Sequence, residues 1–188
     1  MKPVIMIAGP TASGKSALAI HLAKRLGGEV INADSMQVYS DLRVISARPD
    51  PDEMSGIAHH LFGHVDGAQR YSVGAWTRDA VPQILDCLAR DVYPILAGGT
   101  GLYFKALTDG LADIPDIPQS VVNTLKNRLS NEGYQALLAQ AVNADPTASA
   151  RLLGQDPQRL LRILSVYNHT GRPLSEYAKV HLIINHTW

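Results

Sequence analysis

Residues 9–16 read Gly9-Pro10-Thr11-Ala12-Ser13-Gly14-Lys15-Ser16, the pattern G-x-x-x-x-G-K-S. The apolar run Val4-Ile5-Met6-Ile7-Ala8 precedes it, and Ala17-Leu18-Ala19-Ile20-His21-Leu22-Ala23 follows it. Strand, phosphate loop and helix in that order are the context the motif requires. Gly9 and Gly14 are expected to allow backbone that a side chain would forbid. The turn would then aim several N–H groups and a helix N-terminus at one anion. Lys15 adds a positive charge, and the Ser16 hydroxyl is placed to meet Mg²⁺. The loop calls for a polyphosphate without specifying which.

Outward from the loop, the pattern is that of an α/β protein. A helix is predicted over about Lys15–Leu26, ended by Gly27-Gly28. Glu29–Asn32 reads as a short strand returning parallel to the first. Asp34–Tyr39 follows at that strand's C-terminal end, the edge where open α/β sheets bind ligands. Residues 40–70 read as irregular. Ser72 caps a predicted helix from Val73 to about Arg90, with Pro82 predicting a kink or a break into two pieces. Val92–Ala97 reads as a third strand, and Gly98-Gly99-Thr100-Gly101 as a second glycine-rich turn opening a helix at Leu102–Leu107. Alternating strand and helix over residues 3–108 predicts a parallel sheet flanked by helices, of the P-loop NTPase-like kind.

The composition shifts after Gly110. Asp113–Pro118 is linker-like, and the chain beyond it reads helical over about 118–131, 133–143 and 146–153. Asp156-Pro157 starts a well-marked helix, with Asp at the N-cap and Pro at the first helical position. Leu160, Leu161, Ile163, Leu164 and Tyr167 form its apolar stripe, and Gly171 and Pro173 stop it. The expected organisation is a core over 1–112, a helical extension over 113–179 and an off-pattern tail over 180–188.

Net charge is zero, so a nucleic-acid contact must rest on a local basic patch. Arg159 and Arg162, three apart on one helix, with Arg151 near its start, are the candidates. One cysteine, Cys87, excludes a disulfide scaffold and fits a cytoplasmic address. It sits in a helical pattern and reads as core. No apolar run is long enough to span a membrane, and the early first strand leaves no room for a signal peptide. His59, His60 and His64 lack the spacing of a metal frame and read as structural or loop residues. Trp76 and Tyr71 read as packing.

Three segments are expected to end on one sheet edge: the phosphate loop, Asp34–Tyr39 and Gly98–Tyr103. Lys15, Ser16, Asp34 and Thr100 would then share a crevice. Asp34 is the only carboxylate of the three segments, free to act as a general base or metal partner. Capping or turn closure is its plainer role, and threonine in a glycine-rich turn, as at Thr100, is more often a turn residue than a catalyst.

GPTASGKS at 9–16, ADSMQVY at 33–39, HHLF at 59–62, GGTGLY at 98–103, QRLLRIL at 158–164 and TGRPLSE at 170–176 resemble, in order, the tRNA dimethylallyltransferases (tRNA isopentenyltransferases). The resemblance implies that Gly9, Pro10, Thr11, Ala12, Ser13, Gly14, Lys15 and Ser16 bind the diphosphate of dimethylallyl diphosphate rather than serve ATP. A five-carbon prenyl group would pass to the N6 amine of the adenine 3′ of a tRNA anticodon. Asp34 would take the amine's proton. Thr100, Lys15 and Ser16 would hold the departing pyrophosphate with Mg²⁺. Asp34, Ser35, Met36, Gln37, Thr100, Gln158, Arg159, Leu160, Leu161 and Arg162 would contact the anticodon stem-loop of the tRNA, and the protein would be a cytoplasmic monomer.

The chain departs from the family in three places. Ser40–Pro49 replaces a D-I-G-T-A-K-P-like run, with Arg48 able to stand in for its lysine. Val122 stands where an arginine is usual. Residues 180–188 do not resemble the family's continuation past TGRPLSE, which implies a C-terminally truncated form. Two other readings of the residues stay open at this point: a small-molecule P-loop kinase, and a truncated paralogue that binds a diphosphate or RNA without turnover.

Overall fold

A computed structural model describes residues 2–177 together with the backbone of Lys179–Val180. Of the tail expected over 180–188, residues 181–188 lie outside the described residues. The chain divides into two compact units, with the boundary between Leu111 and Ala112.

The first unit is built on β1 (Ile5–Ala8), α1 (Lys15–Leu26), β2 (Gly28–Asn32), α2 (Pro51–Met54), β3 (His59–His60), α3 (Val73–Ala89), β4 (Tyr93–Gly98) and α4 (Gly101–Asp109). Its sheet has the order β1-β4-β2-β3, and every pairing is parallel. β1 and β2 are both neighbours of β4 rather than of each other, so all their C-terminal ends open on one edge.

Alternation along the strands sorts the core into two layers. Val30, Ile95 and Ala97 face Ala19 and Ala23 of α1. Ile31, Ala33 and Leu96 face Trp76, Ala80 and Ile84 of α3 and Tyr103 and Leu107 of α4. Trp76 is fully buried, stacks on Tyr103 at 4.3 Å, and donates its indole N–H to the Asn32 carbonyl at 2.8 Å.

Several boundaries depart from the sequence reading. α3 runs unbroken through Pro82. Proline removes one ladder hydrogen bond, but Trp76, Thr77, Ala80, Ile84 and Cys87 are buried along the helix, and packing outweighs the local defect. Gly27 ends α1 in the left-handed region (φ 69°), whereas Gly28 already belongs to β2. A side chain at Gly28 would come within 2.8 Å of the Tyr93 carbonyl. The stretch 40–70 is not wholly irregular. Asp50 and Glu53 form a reciprocal capping box around α2, and His59–His60 adds the edge strand β3.

β5 (Leu111–Ala112) straddles the boundary between the units, and the second unit continues with α5 (Gln119–Glu132), α6 (Tyr134–Ala144), α7 (Pro146–Ser149) and α8 (Pro157–Thr170). A 3₁₀ turn (Leu174–Glu176) and β6 (Lys179–Val180) follow, with β6 paired to β5. Leu125, Leu137, Ala141, Leu160, Ile163 and Leu164 form its core. The buried face of α8 also takes in Val166, while Tyr167 points outward, 37% exposed. α7 is shorter than the 146–153 helix predicted. Asp145 caps it from a fully buried position, accepting from Ala148 N at 2.8 Å, from Ser175 N at 2.8 Å and from Ser175 Oγ at 2.7 Å.

Candidate active site

The phosphate loop joins β1 to α1 at the open sheet edge. Gly14 adopts φ 80°, a conformation that costs other residues, and sits at the N-cap of α1. Gly9 has a different reason from the one predicted. Its backbone is not left-handed, but a Cβ there would press on Ser13 Oγ at 3.0 Å. The non-glycine residue Ala12 carries φ 61°. Lys15 Nζ folds back on the loop, donating to the Pro10 carbonyl and lying 3.5 Å from Ser13 Oγ.

The second segment is held by Asn32, a residue the sequence reading did not single out. Asn32 is fully buried at the end of β2. Its Oδ1 accepts from Asp34 N at 2.9 Å, and its Nδ2 donates to the carbonyls of Asp34 and Leu61, each at 3.0 Å. Asp34 Oδ1 in turn accepts from Met36 N at 2.9 Å, closing a local turn. The plainer role of Asp34 as a turn-former is therefore real, and it leaves Oδ2 for other work.

The third segment comes so close that only glycine fits. A Cβ on Gly98 would lie 2.1 Å from the Ala33 carbonyl atoms and 2.7 Å from Asp34 N. One on Gly99 would lie 3.4 Å from both Asp34 Oδ2 and the Gly9 carbonyl, so phosphate loop, Asp34 and glycine turn adjoin. Thr100 does not cap α4 with its side chain. Its Oγ1 accepts from Ser35 N at 2.9 Å instead, and its hydroxyl proton remains to be donated.

A cavity of about 250 Å³ opens among these segments. Thr11, Ala12, Ser13, Gly14, Lys15, Ser16, Asp34 and Gln37 line it, together with Val30, His59, Phe62 and Ala97. Gly9, Pro10, Ser35, Met36 and Thr100 are not among the residues that line it. Gln37 turns its amide to the carbonyls of Ser46 (2.9 Å) and Ala47 (3.3 Å). Arg48 does not reach the cavity. Its guanidinium donates to the carbonyls of Tyr39 at 2.8 Å and Ser40 at 3.1 Å, tying the loop to itself.

Ser16 and Asp34 are a sparse set for Mg²⁺. That suits an ion that keeps several waters and binds through substrate phosphates, and among the described residues no other carboxylate lines the cavity.

The histidines occupy defined places. His59 Nδ1 lies 2.8 Å from the Ile57 carbonyl, which can only accept, so Nδ1 carries the proton. Burial pushes the pKa of His59 down. His60 Nε2 lies 2.7 Å from Glu29 Oε2, and His64 Nε2 lies 3.1 Å from the Tyr71 hydroxyl. Glu29, His60 and Cys87 present ligand atoms within 4.8 Å of one another. The Arg90 guanidinium already supplies the positive charge there, gripping both Glu29 oxygens at 2.7 and 2.8 Å. Burial and the neighbouring Glu29 charge push the Cys87 thiol up to about 11, the opposite of an activated nucleophile.

In the second unit, Arg151, Arg159 and Arg162 line one cavity of about 330 Å³, floored by Leu152, Ile163 and Leu174. Burial lowers the Arg162 pKa, against the opposing charge of Asp116. Arg159 pairs with Asp156 at 3.3 Å. Leu160, expected to contact tRNA, has its side chain fully buried in the second unit's core and Leu161 is half-buried, whereas Gln158, Arg159 and Arg162 are exposed.

A parallel α/β sheet with a glycine-rich loop, a carboxylate and a threonine at its C-terminal edge is the arrangement of a P-loop NTPase-like fold. The comparisons narrow the class. The profile described as IPP transferase matches residues 37–186, and that described as isopentenyl transferase matches residues 2–62. A tRNA dimethylallyltransferase of Rhizobium etli (strain CIAT 652) is 53% identical over 173 residues, covering 92% of this chain and 58% of the relative. One from Azorhizobium caulinodans is 51% identical over 180 residues, with 95% and 58% covered. A solved eukaryotic dimethylallyltransferase acting on tRNA superposes with a TM-score of 0.79 at 31% identity, covering 97% of this chain and 46% of that one. The Bacillus halodurans tRNA isopentenylpyrophosphate transferase superposes at 0.58 with 35% identity, covering 92% and 57%. The chain belongs to the IPP transferase family. It spans 58% of the length of these curated relatives.

Proposed function

We infer that the protein transfers a dimethylallyl group from dimethylallyl diphosphate to the N6 amine of the adenine 3′ of the anticodon in tRNA. The observation that carries this reading is one cavity that joins an anion-binding loop to a single carboxylate, Asp34, and to an apolar wall. A diphosphate seats against the loop amides and Lys15. The C1–O bond of the substrate breaks, and the electron pair leaves with the pyrophosphate. The adenine N6 forms the new bond to C1, and its proton goes to Asp34. The developing charge on the leaving group meets Lys15, the α1 N-terminus and the Thr100 hydroxyl. Ser16 would hold Mg²⁺, which would supply positive charge against the diphosphate.

The adenine must leave its stack to reach such a cavity. Gln158, Arg159 and Arg162, with Arg151, are assigned to the RNA backbone of the anticodon stem-loop. Where the family has an arginine, Val122 offers no such contact. The reading takes the protein as a cytoplasmic monomer; among the described residues no helix is long and apolar enough to cross a membrane.

A single-turnover assay with labelled dimethylallyl diphosphate, Mg²⁺ and tRNA carrying adenine 3′ of the anticodon tests the reading. Label in the tRNA is the expected result. Phosphoryl transfer from ATP to a small molecule, with no label in tRNA, would replace the reading with a kinase. Diphosphate binding without transfer would leave a binding protein.

A further inference from the structure

The cavity lining combines two chemically distinct sets of residues. Loop residues 11–16 offer amides, hydroxyls and the Lys15 ammonium. The same lining carries Val30, Phe62 and Ala97 with the ring of His59, beside Ser46, Ala47 and Pro49. A bare polyphosphate has no use for such a wall, because apolar surface beside an anion gives nothing back for the water it displaces. The arrangement suits a ligand with an anionic head and a hydrocarbon tail.

The wall is also short and stiff. Val30 is 1% exposed and locked in the sheet between Ile95 of β4 and His59 of β3. Ala97 lies beside it on the same face, packed toward α1. The His59 ring is fixed by its hydrogen bond to the Ile57 carbonyl, and burial favours its neutral form, which is compatible with a hydrocarbon neighbour. Phe62 leans on this group, its ring 5.4 Å from that of His59, and it comes from a loop rather than from the sheet. The whole cavity holds about 250 Å³, below the roughly 300–1,000 Å³ of pockets that take drug-sized ligands.

We propose that Phe62, backed by Val30, His59 and Ala97, is the wall that sets the length of the alkyl chain, admitting a five-carbon prenyl diphosphate and refusing a ten-carbon one. The assignment rests on the prenyl-transfer reading and deepens it. Phe62 is the specificity-determining residue because it is the large member of the wall that does not belong to the sheet, so shortening it opens space without breaking a ladder.

The test is competition binding of inorganic pyrophosphate, dimethylallyl diphosphate and geranyl diphosphate to the unaltered protein, Phe62→Ala and Phe62→Leu. Each affinity is expressed relative to pyrophosphate for the same variant, so a general loss of the anion site cancels. The unaltered protein is expected to prefer the five-carbon ligand over the ten-carbon one by at least about tenfold. Phe62→Ala should erase that preference through a gain for the geranyl compound, and Phe62→Leu should move it part of the way. Ala97→Val, which narrows the wall from the sheet side, should weaken the five-carbon ligand by about tenfold against pyrophosphate. An unchanged five- to ten-carbon ratio in both Phe62 variants overturns the proposal. A different result, dimethylallyl diphosphate binding no better than pyrophosphate to the unaltered protein, would sink the prenyl-transfer reading itself. Should Phe62→Ala fail to unfold cooperatively, Phe62→Leu and Ala97→Val decide the matter.

Discussion

The backbone N–H of Ser35 donates to the side-chain oxygen of Thr100 at 2.9 Å, while Thr100 N donates to the Ala33 carbonyl at 3.1 Å. This double link crosses 65 residues of sequence and joins the Asp34 segment to the glycine turn of β4 and α4. Thr100 thus has a structural use for its oxygen and a free proton for a ligand, which makes the two uses separable. Thr100→Val leaves the Ser35 amide unpaired and is expected to cost about 1–3 kcal/mol. Thr100→Ser keeps the bond and should lie within about 0.5 kcal/mol of the parent. Denaturant unfolding of the two variants measures this; equal losses would mean the Ser35–Thr100 bond is not formed in solution.

Asp34→Asn retains an oxygen for Met36 N but has no basicity. Transfer to tRNA should fall by about 10²–10⁴-fold while pyrophosphate binding is kept. Single-turnover rates and equilibrium binding on the same preparation separate the two effects. Full activity in the variant would remove Asp34 as the base.

Asn32 positions Asp34 with three hydrogen bonds from a fully buried site. Asn32→Leu strands the Asp34 amide and the Leu61 carbonyl, and is expected to lose about 2–4 kcal/mol and much of kcat. Asn32→Asp keeps the acceptor but not the donor, and should fall between. A variant with parental stability and kcat would show that the Asp34 turn holds without Asn32.

Gly63 has φ 58°, and a Cβ on it would lie 1.8 Å from Arg48 Nη1. Gly63→Ala must therefore expel the guanidinium from the Tyr39 and Ser40 carbonyls. The expected cost is about 1–3 kcal/mol, falling to about 1 kcal/mol of backbone strain when Arg48→Ala is already present. A double-mutant cycle with no coupling energy would mean that Arg48 does not occupy that space.

The Arg90 guanidinium is the largest influence on Glu29 and outweighs burial, holding its pKa near 2 against the ordinary 4.5. A depressed carboxylate pKa adds stability above the unfolded value, and that stability drains away as pH falls from about 4.5 toward 2. The ceiling is about 3 kcal/mol, lessened by solvent around Arg90, whose side chain is 44% exposed. Asp145 acts in the same direction. Burial opposes its charge, but donors from Ala148 and Ser175 win and lower its pKa. Unfolding free energy measured between pH 2 and 6 should rise with pH, and Glu29→Gln should flatten part of that rise. A variant with the parental slope would show that the Arg90 pair does not form.

Much of the fold was legible because its signals are local. Lys15–Leu26 starts at the loop glycine and stops at a left-handed Gly27. The Ser72 and Asp156 caps mark the starts of α3 and α8, each accepting from the amide three residues on. What escaped had weak local signals. β3 is two residues long, and only pairing with Val30 and Ile31 makes it a strand. The Asp50–Glu53 box was written in the sequence but lay inside a stretch rich in turn residues. Asn32 looked like an ordinary strand end, since nothing in a single asparagine announces that three buried partners converge on it.

Spacing and composition by themselves determined the phosphate loop, the helix and strand order, and the identity of the one carboxylate available near the loop, because backbone propensity, capping and glycine chemistry act over a few residues. The tertiary structure alone decided which of those residues come together. Placing β4 between β1 and β2 brought Gly98 and Gly99 against Ala33 and Asp34. It also set Thr100 on Ser35 and put Val30, His59, Phe62 and Ala97 into the lining of the cavity. Arg48 was drawn into its own loop, and Leu160 into the second unit's core, because unpaired carbonyls and apolar surface are satisfied by whatever the fold brings near them.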